Sequence, residues 1–429
     1  MSTARLFDPL HLPCGAVLAN RIAKAAMTEG LADTAGRPTP ELVRLYERWG
    51  AGGAGMLLSG NIQIDAQHLE RPGNVVIDAE PDAAMLTRLR EWTTAATLHG
   101  AHFWAQISHA GRQTQKTVNP HPKAPSAVKL ALPGGQFGDP VAMTEADIAA
   151  VVTGFARAAR VCRAGGFTGV QVHAAHGYLL SQFLSPRSNQ RADQWGGSLE
   201  NRARLLLDVV AAVRVSVGDD FPVAVKLNSA DFQKGGFAFV EALQVADWLA
   251  AARIDLIEVS GGTYEQPKLL GLDGIEPVDG QGVQESTLAR EAYFVDFARA
   301  IQGRVSVPLM VTGGLRRRDA MEEVLSSGAA DVIGLGRPMC VMTDAPAQLL
   351  RGLEELPRYE RDLKLFPAWL GFLRWLKLGR TIEGFAGQYW FYGQLYALGR
   401  TGGADPAMAV IAAWRVVERT HKDWLKARG

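Results

Sequence analysis

Eight short apolar runs, separated by longer amphipathic stretches, constrain this 429-residue chain more than any other feature. The runs cover residues 21–28, 55–64, 102–108, 169–173, 222–227, 255–260, 307–312 and 331–335. Helical periodicity fills the gaps, as at 81–99, 144–164, 199–217, 240–252 and 318–327. Strands alternating with helices predict a parallel sheet covered on its outer face, and eight such strands suffice to close it on itself. The expected fold is α/β, a (β/α)8 TIM barrel over residues 1–350 with an aromatic-rich C-terminal helical extension over 351–429. Several runs end in Gly, Asn, Ser or His, which gathers polar groups at the C-terminal rim, where barrels of this kind do their chemistry.

Charge and cysteine content narrow the function. With 45 basic and 44 acidic residues the net charge is +1, so no long-range field favours nucleic acid or an anionic membrane, and a small-molecule site is expected. Cys14, Cys162 and Cys340 are odd in number and far apart, which gives neither a disulfide framework nor a zinc-ligand spacing and points to a reducing cytoplasm. Residues 1–12 include Arg5, Asp8 and Pro9 in place of an apolar leader, and no run reaches transmembrane length, so a soluble, uncleaved protein is expected.

One glycine motif misleads. Gly50 to Gly55 spells G-x-G-x-x-G, but the dinucleotide fingerprint follows a strand and opens a helix, whereas this stretch follows a helix and precedes a strand. It reads as a helix-to-strand turn. The phosphate signal lies instead in Gly313-Gly314 after the seventh run and Gly336-Arg337 after the eighth. Glycines there let backbone N–H groups approach phosphate oxygens, and Arg337 adds a charged fork. At the end of the fourth run, His173, His176 and Tyr178 set two imidazoles and a phenol where they could bind an electron-rich oxygen and deliver a proton. That is equipment for reducing an activated double bond. A metal pair is the rival reading of His173 and His176, with no third ligand at a clear spacing.

Together these motifs carry a resemblance. The run from His173 through Ser185-Pro186-Arg187 and Trp195-Gly196-Gly197-Ser198 to Arg202 resembles the old yellow enzyme family of FMN-dependent ene-reductases. So do the first strand from Asn20 to Thr28, Gln106 to Arg112, Ala124-Pro125-Ser126 and both glycine turns, in the same order from Phe7 to Ala345. The resemblance implies non-covalent FMN at the C-terminal mouth, NADPH or NADH as electron donor, and hydride delivery to the β-carbon of an enone or nitroalkene. It also implies roles. His173 and His176 would donate hydrogen bonds to the substrate's carbonyl or nitro oxygen, and Tyr178 would protonate the α-carbon. Ala25, Ala26, Met27, Thr28 and a Gly60-Asn61 turn would line the flavin, with Thr28 at its C4 oxygen and Gln106 at its pyrimidine edge. Gly313, Gly314, Gly336 and Arg337 would take its phosphate. Lys226 departs from the family, which usually places Arg beside flavin N1 and the C2 oxygen; charge is kept but the two-pronged geometry is lost. Ser108 and Gly30 stand where some relatives carry large aromatics, and both suggest a roomier site.

The tail is rich in aromatic residues, among them Phe366, Trp369, Phe372, Trp375, Phe385, Tyr389, Trp390, Tyr392 and Tyr396, ahead of a helical stretch over 406–426. Packing on the barrel, or on a partner subunit of a homo-oligomer, is expected in preference to a membrane surface. It lacks a four-cysteine cluster and no second nucleotide domain follows, so electrons are expected to pass directly from nicotinamide to FMN. Alternatives to ene-reduction are a flavin-dependent dehydrogenase, a metal-dependent lyase, and a flavin-binding protein without turnover.

Overall fold

The computed structural model describes residues 5–130, 132, 135–260, 295, 297–361, 363–365 and 377–429. Eight strands follow in order: β1 (Ile22–Lys24), β2 (Met56–Gln63), β3 (His102–Ser108), β4 (Gly169–Ala174), β5 (Val223–Asn228), β6 (Leu256–Ser260), β7 (Leu309–Thr312) and β8 (Val332–Leu335). Each pairs in parallel with the next, and β8 returns to β1 with Leu335 opposite Lys24, which closes the barrel. Every apolar run forms a strand, but β1 is only three residues long. The Ala25 N–H still reaches Leu335 O, and beyond it the chain leaves the ladder, freeing residues 26–28 to line the rim.

Alternation divides the interior into two halves. Met56, Leu58, Trp104, Leu256 and Met310 pack over the hairpin Leu10–His11/Val17–Leu18, which plugs the N-terminal end. Above them the inward positions turn polar.

Outside lie α1 (Pro40–Gly50), α2 (Ala83–Thr97), α3 (Glu145–Ala164), α4 (Leu199–Val217), α5 (Phe239–Ala251) and α6 (Arg318–Ser326). Their starts are set locally. Asp82 caps α2, Thr144 and Asp147 form a capping box on α3, and Ser198 accepts the Asn201 N–H at the start of α4. Each such cap stabilises its helix by about 1 kcal/mol, so the Trp195–Ser198 run is accounted for as a helix start. The Gly50–Gly55 stretch joins α1 to β2 as a turn.

The extension contains α7 (Lys377–Thr401) and α8 (Val410–Arg428). Trp390, Leu395 and Tyr396 are buried in the same apolar core as the barrel helices. Arg44 NH1 donates to Gly399 O at 2.5 Å, Trp424 Nε1 to Ala32 O at 3.1 Å, and Arg428 NH2 to Ala66 O at 2.8 Å. These bonds fold the extension back over α1 and the loops that follow β1 and β2. Phe366, Trp369, Phe372 and Trp375, and the side chain of Phe385, lie outside the described residues. No helix among the described residues is long and apolar enough to cross a membrane.

Candidate active site

The polar half of the barrel is wired across four strands. Lys226 on β5 stands opposite His173 on β4 and Glu258 on β6, so three inward side chains share one level. Lys226 Nζ lies 2.9 Å from Glu258 Oε1, a buried ion pair. Gln171 Nε2 donates to the other Glu258 oxygen at 2.8 Å, and Gln106 Nε2 donates to Gln171 Oε1 at 2.6 Å. Lys226 is therefore a balanced cation, and removing Glu258 would leave a buried charge unpaired at a cost of about 3–5 kcal/mol. Gln171 and Glu258 are missed by motif reading. Their signal is a polar residue at an inward position of the otherwise apolar strands β4 and β6.

Three rings stand beside this relay. The centroids of His173 and His176 are 5.2 Å apart and nearly perpendicular, and those of His173 and Tyr178 are 4.8 Å apart. His173 and Tyr178 are buried, while His176 keeps part of its surface open. Desolvation, reinforced by the Lys226 charge, holds both imidazoles well below their ordinary range, so they are neutral. The Ala175 N–H donates to His173 Nδ1 at 3.2 Å, which puts the His173 proton on Nε2 and leaves that nitrogen as a donor. His176 adopts φ 61° and lies 2.6 Å through Nε2 from Ser260 Oγ, while its own N–H donates to Asn228 Oδ1. A left-handed backbone at a non-glycine residue costs about 1–3 kcal/mol. Here it turns the ring back toward His173.

The rim after β1 and β2 differs from expectation at two points. Asn61 lies within a strand that continues to Gln63, beside a register shift after Leu58, and not in a turn. The irregularity frees the Gly60 N–H for Glu29 Oε1 at 3.0 Å. Glu29 in turn lies 3.7 Å from Lys24, which is fully buried against Tyr46 and Trp49 and donates to Leu58 O at 2.6 Å. Burial lowers the Lys24 ammonium to about 8, with Glu29 opposing the shift. The second difference is Gly30, at φ 69°. A Cβ there would lie 3.3 Å from Arg71 Nε, Pro72 O and the Tyr396 hydroxyl, so the space expected to be open is filled by Arg71 and the extension. Thr28 and Asn61 meet at a residue the sequence reading overlooks. The Thr28 hydroxyl donates to Glu70 Oε2 at 2.5 Å and Asn61 Nδ2 donates to the same oxygen at 2.6 Å, so Thr28 turns lone pairs, not a proton, away from Glu70.

At the ends of β7 and β8, Gly313 and Gly314 have φ 127° and 74°, and a Cβ on Gly336 would meet nothing within 4 Å. Arg316 and Arg337 share the Glu360 carboxylate at 3.2 and 3.3 Å. Arg316 is buried, and its Nε has no partner among the described residues. Two guanidinium groups against one carboxylate leave positive charge beside an open glycine cradle, which fits the phosphate of FMN. Arg337 thus has a companion, and its loss is buffered: Arg337→Ala should weaken FMN by about tenfold and the double variant with Arg316→Ala by about a hundredfold. Full retention of FMN by the double variant through gel filtration of a dilute sample would remove both residues from the phosphate site.

Asp65, His68 and His109 bring potential ligand atoms within 4.8 Å of one another. However, the Lys123 N–H donates to His68 Nε2 at 2.8 Å and the Gly111 N–H to His109 Nδ1 at 3.0 Å. Each neutral ring must then carry its proton on the nitrogen nearest Asp65, where a metal would need a lone pair. The stacked rings, 4.3 Å apart, read as a hydrogen-bonded brace.

Residues 5–355 match the NADH:flavin oxidoreductase / NADH oxidase family. An NADH-dependent flavin oxidoreductase of Hypocrea jecorina is 36% identical over 78% of this chain and 86% of its own length. One from Talaromyces variabilis is 34% identical over 94% of this chain and 100% of its own length, so the similarity runs into the extension. Among solved structures, the old yellow enzyme homologue from Zymomonas mobilis superposes with a TM-score of 0.68 at 25% identity, covering 85% of this chain and 97% of that one. With a matching barrel and a buried polar mouth, the chain belongs to the NADH:flavin oxidoreductase / NADH oxidase family and is an old yellow enzyme relative, an oxidoreductase that works with FMN and NAD(P)H.

Proposed function

We propose that this enzyme reduces C=C bonds activated by a carbonyl or nitro group, with a small enone or nitroalkene as substrate. The observation that carries the reading is the neutral His173–His176 pair, with His173 edge-on to Tyr178 at the mouth of the barrel. Bound FMN would supply hydride, after taking electrons from NADH or NADPH. Ala25, Ala26, Met27, Thr28 and Asn61 would border one edge of its ring system and Gln106 another. Lys226 would supply positive charge to its ring system, while Gly313, Gly314, Gly336, Arg316 and Arg337 would hold its phosphate. His173 Nε2 and a ring N–H of His176 would point two donors at the substrate oxygen, where negative charge grows during the reaction. Tyr178 would hand its proton to the α-carbon.

In this division residues 1–350 hold the flavin and perform the chemistry, and the described part of residues 351–429 closes one side of the mouth. The three cysteines are free thiols, in keeping with a reducing, cytoplasmic setting. The test is anaerobic: protein reduced with one equivalent of NADPH or NADH is mixed with cyclohexenone. Return of the oxidised flavin spectrum, with cyclohexanone formed in equal amount, is expected. Failure of cyclohexenone and of a nitroalkene alike to reoxidise the flavin would favour the dehydrogenase reading.

A further inference from the structure

Beside the proposed flavin site, a cavity of about 70 Å³ lies between the loops after β2 and β3 and the extension. Its lining includes Glu70, Arg71, Gln115, Tyr389, Tyr392 and His421. Arg71 is 4% exposed, and its guanidinium carbon sits 3.6 Å above the Tyr392 ring. Stacking holds the plane of the group but satisfies none of its N–H bonds. One is used: NH2 lies 2.7 Å from His421 Nε2. Burial and the Arg71 charge hold His421 far below its ordinary range, to about 3, so it is a neutral acceptor and brings no charge to match the guanidinium. Nε and NH1 are buried without a hydrogen-bond partner among the described residues, as is the Tyr396 hydroxyl.

A guanidinium cannot shed its proton to escape burial, so a buried one with free N–H groups calls for an anion. Glu70, next in sequence, lines the same cavity and its charge acts on Arg71, but its Oε2 takes the Thr28 hydroxyl and Asn61 Nδ2, and Arg71 Nε and NH1 donate no hydrogen bond to it. The same two bonds tie the cavity to the mouth, since Thr28 and Asn61 are rim residues of β1 and β2. Two chemistries could bring an anion here, a carboxylate on the alkene substrate or a phosphate on the nicotinamide donor. The small volume favours the end of an aliphatic acid.

We infer that Arg71, held by Tyr392 and His421 of the extension, binds a carboxylate on the substrate, so that the preferred alkenes are acids whose activated double bond lies over the flavin. The inference rests on the ene-reduction reading only for what occupies the other end of the ligand. It also gives the extension a task, since Tyr392 and His421 both belong to it.

The holoenzyme with oxidised flavin supplies the test. Calorimetric titration with levulinate, a saturated keto acid that cannot turn over, should show binding about 30-fold tighter than with methyl levulinate. Arg71→Gln should erase that difference. In turnover, wild type should prefer β-acetylacrylate over its methyl ester in KM, and the preference should collapse in the variant. Equal binding of levulinate and its ester by wild type overturns the inference without any variant, so a misfolded Arg71→Gln does not shield it. Levulinate binding unchanged in a folded Arg71→Gln overturns it as well. If the variant instead slows flavin reduction by NADPH and leaves the acid preference intact, the anion is the nucleotide's phosphate and the inference fails. If levulinate binds as expected but no alkene reoxidises the flavin, the carboxylate site stands and the ene-reduction reading falls.

Discussion

Tyr178→Phe should leave reduction of the flavin by nicotinamide at the wild-type rate while slowing its reoxidation by a simple enone by about 10²-fold or more. The two half-reactions separate because only the second needs a proton at carbon, and a phenol with pKa ~10 keeps that proton at neutral pH. The substitution is conservative in packing. Tyr178 is buried, its N–H donates to Ala175 O at 3.2 Å, and it stands at the N-cap of the short helix Leu179–Leu184, so the backbone keeps the ring beside His173. A nitroalkene should suffer less, since a stable nitronate can leave and collect its proton from water. Stopped-flow traces of both half-reactions decide the matter: equal slowing of the two, or an enone step at the wild-type rate, would take Tyr178 out of the mechanism.

The barrel was legible because its strands are short apolar runs and its helices open on readable caps such as Thr144 and Ser198. The long helix α7 of the extension was not, and its composition explains why. Helix α7 carries Gly379, Gly384, Gly387, Gly393 and Gly399, and each interior glycine costs a helix about 1 kcal/mol relative to alanine. Packing overrides propensity there. A Cβ on Gly393 would come within 2.9 Å of the Ala413 side chain on α8, and one on Gly399 within 3.1 Å of Glu41 O on α1, so the glycines allow three helices to approach closely. The site divides in the same way. His173, His176 and Tyr178 sit within six residues of one strand end, and such local motifs can be read from a single stretch. Glu70, Arg71, Glu258 and Arg316 acquire their meaning from partners far away in sequence, as when Arg71 meets His421, 350 residues on. Spacing carries no trace of such a pairing.

Replacing His173 and His176 together by alanine should lower enone reduction by about 10³-fold or more, since loss of a single well-placed donor to a developing oxyanion already costs 10²–10³-fold. FMN should stay bound, because its phosphate and ring edges are assigned to other residues. Titration with a phenol separates binding from turnover: in the wild type a phenolate oxygen held by the pair stacks its ring on oxidised FMN and gives a long-wavelength charge-transfer band, and in the double variant that band should vanish. The pH dependence distinguishes a neutral pair from a charged one. Burial places both imidazoles well below 6.5, so neither changes charge between pH 6 and 8, and the KM for a neutral enone should be flat across that range. A KM that rises with a midpoint near 6.5 would mean that one ring works as imidazolium. Activity lost to a chelator and restored by zinc would return the pair to the metal reading. A wild-type phenol titration in the double variant would instead mean that the oxygen is bound elsewhere. With Ser260 bonded to His176 and Ala175 to His173, the ring orientations are fixed before any substrate arrives, and that preorganisation is what lets two neutral donors act on charge that exists only during the reaction.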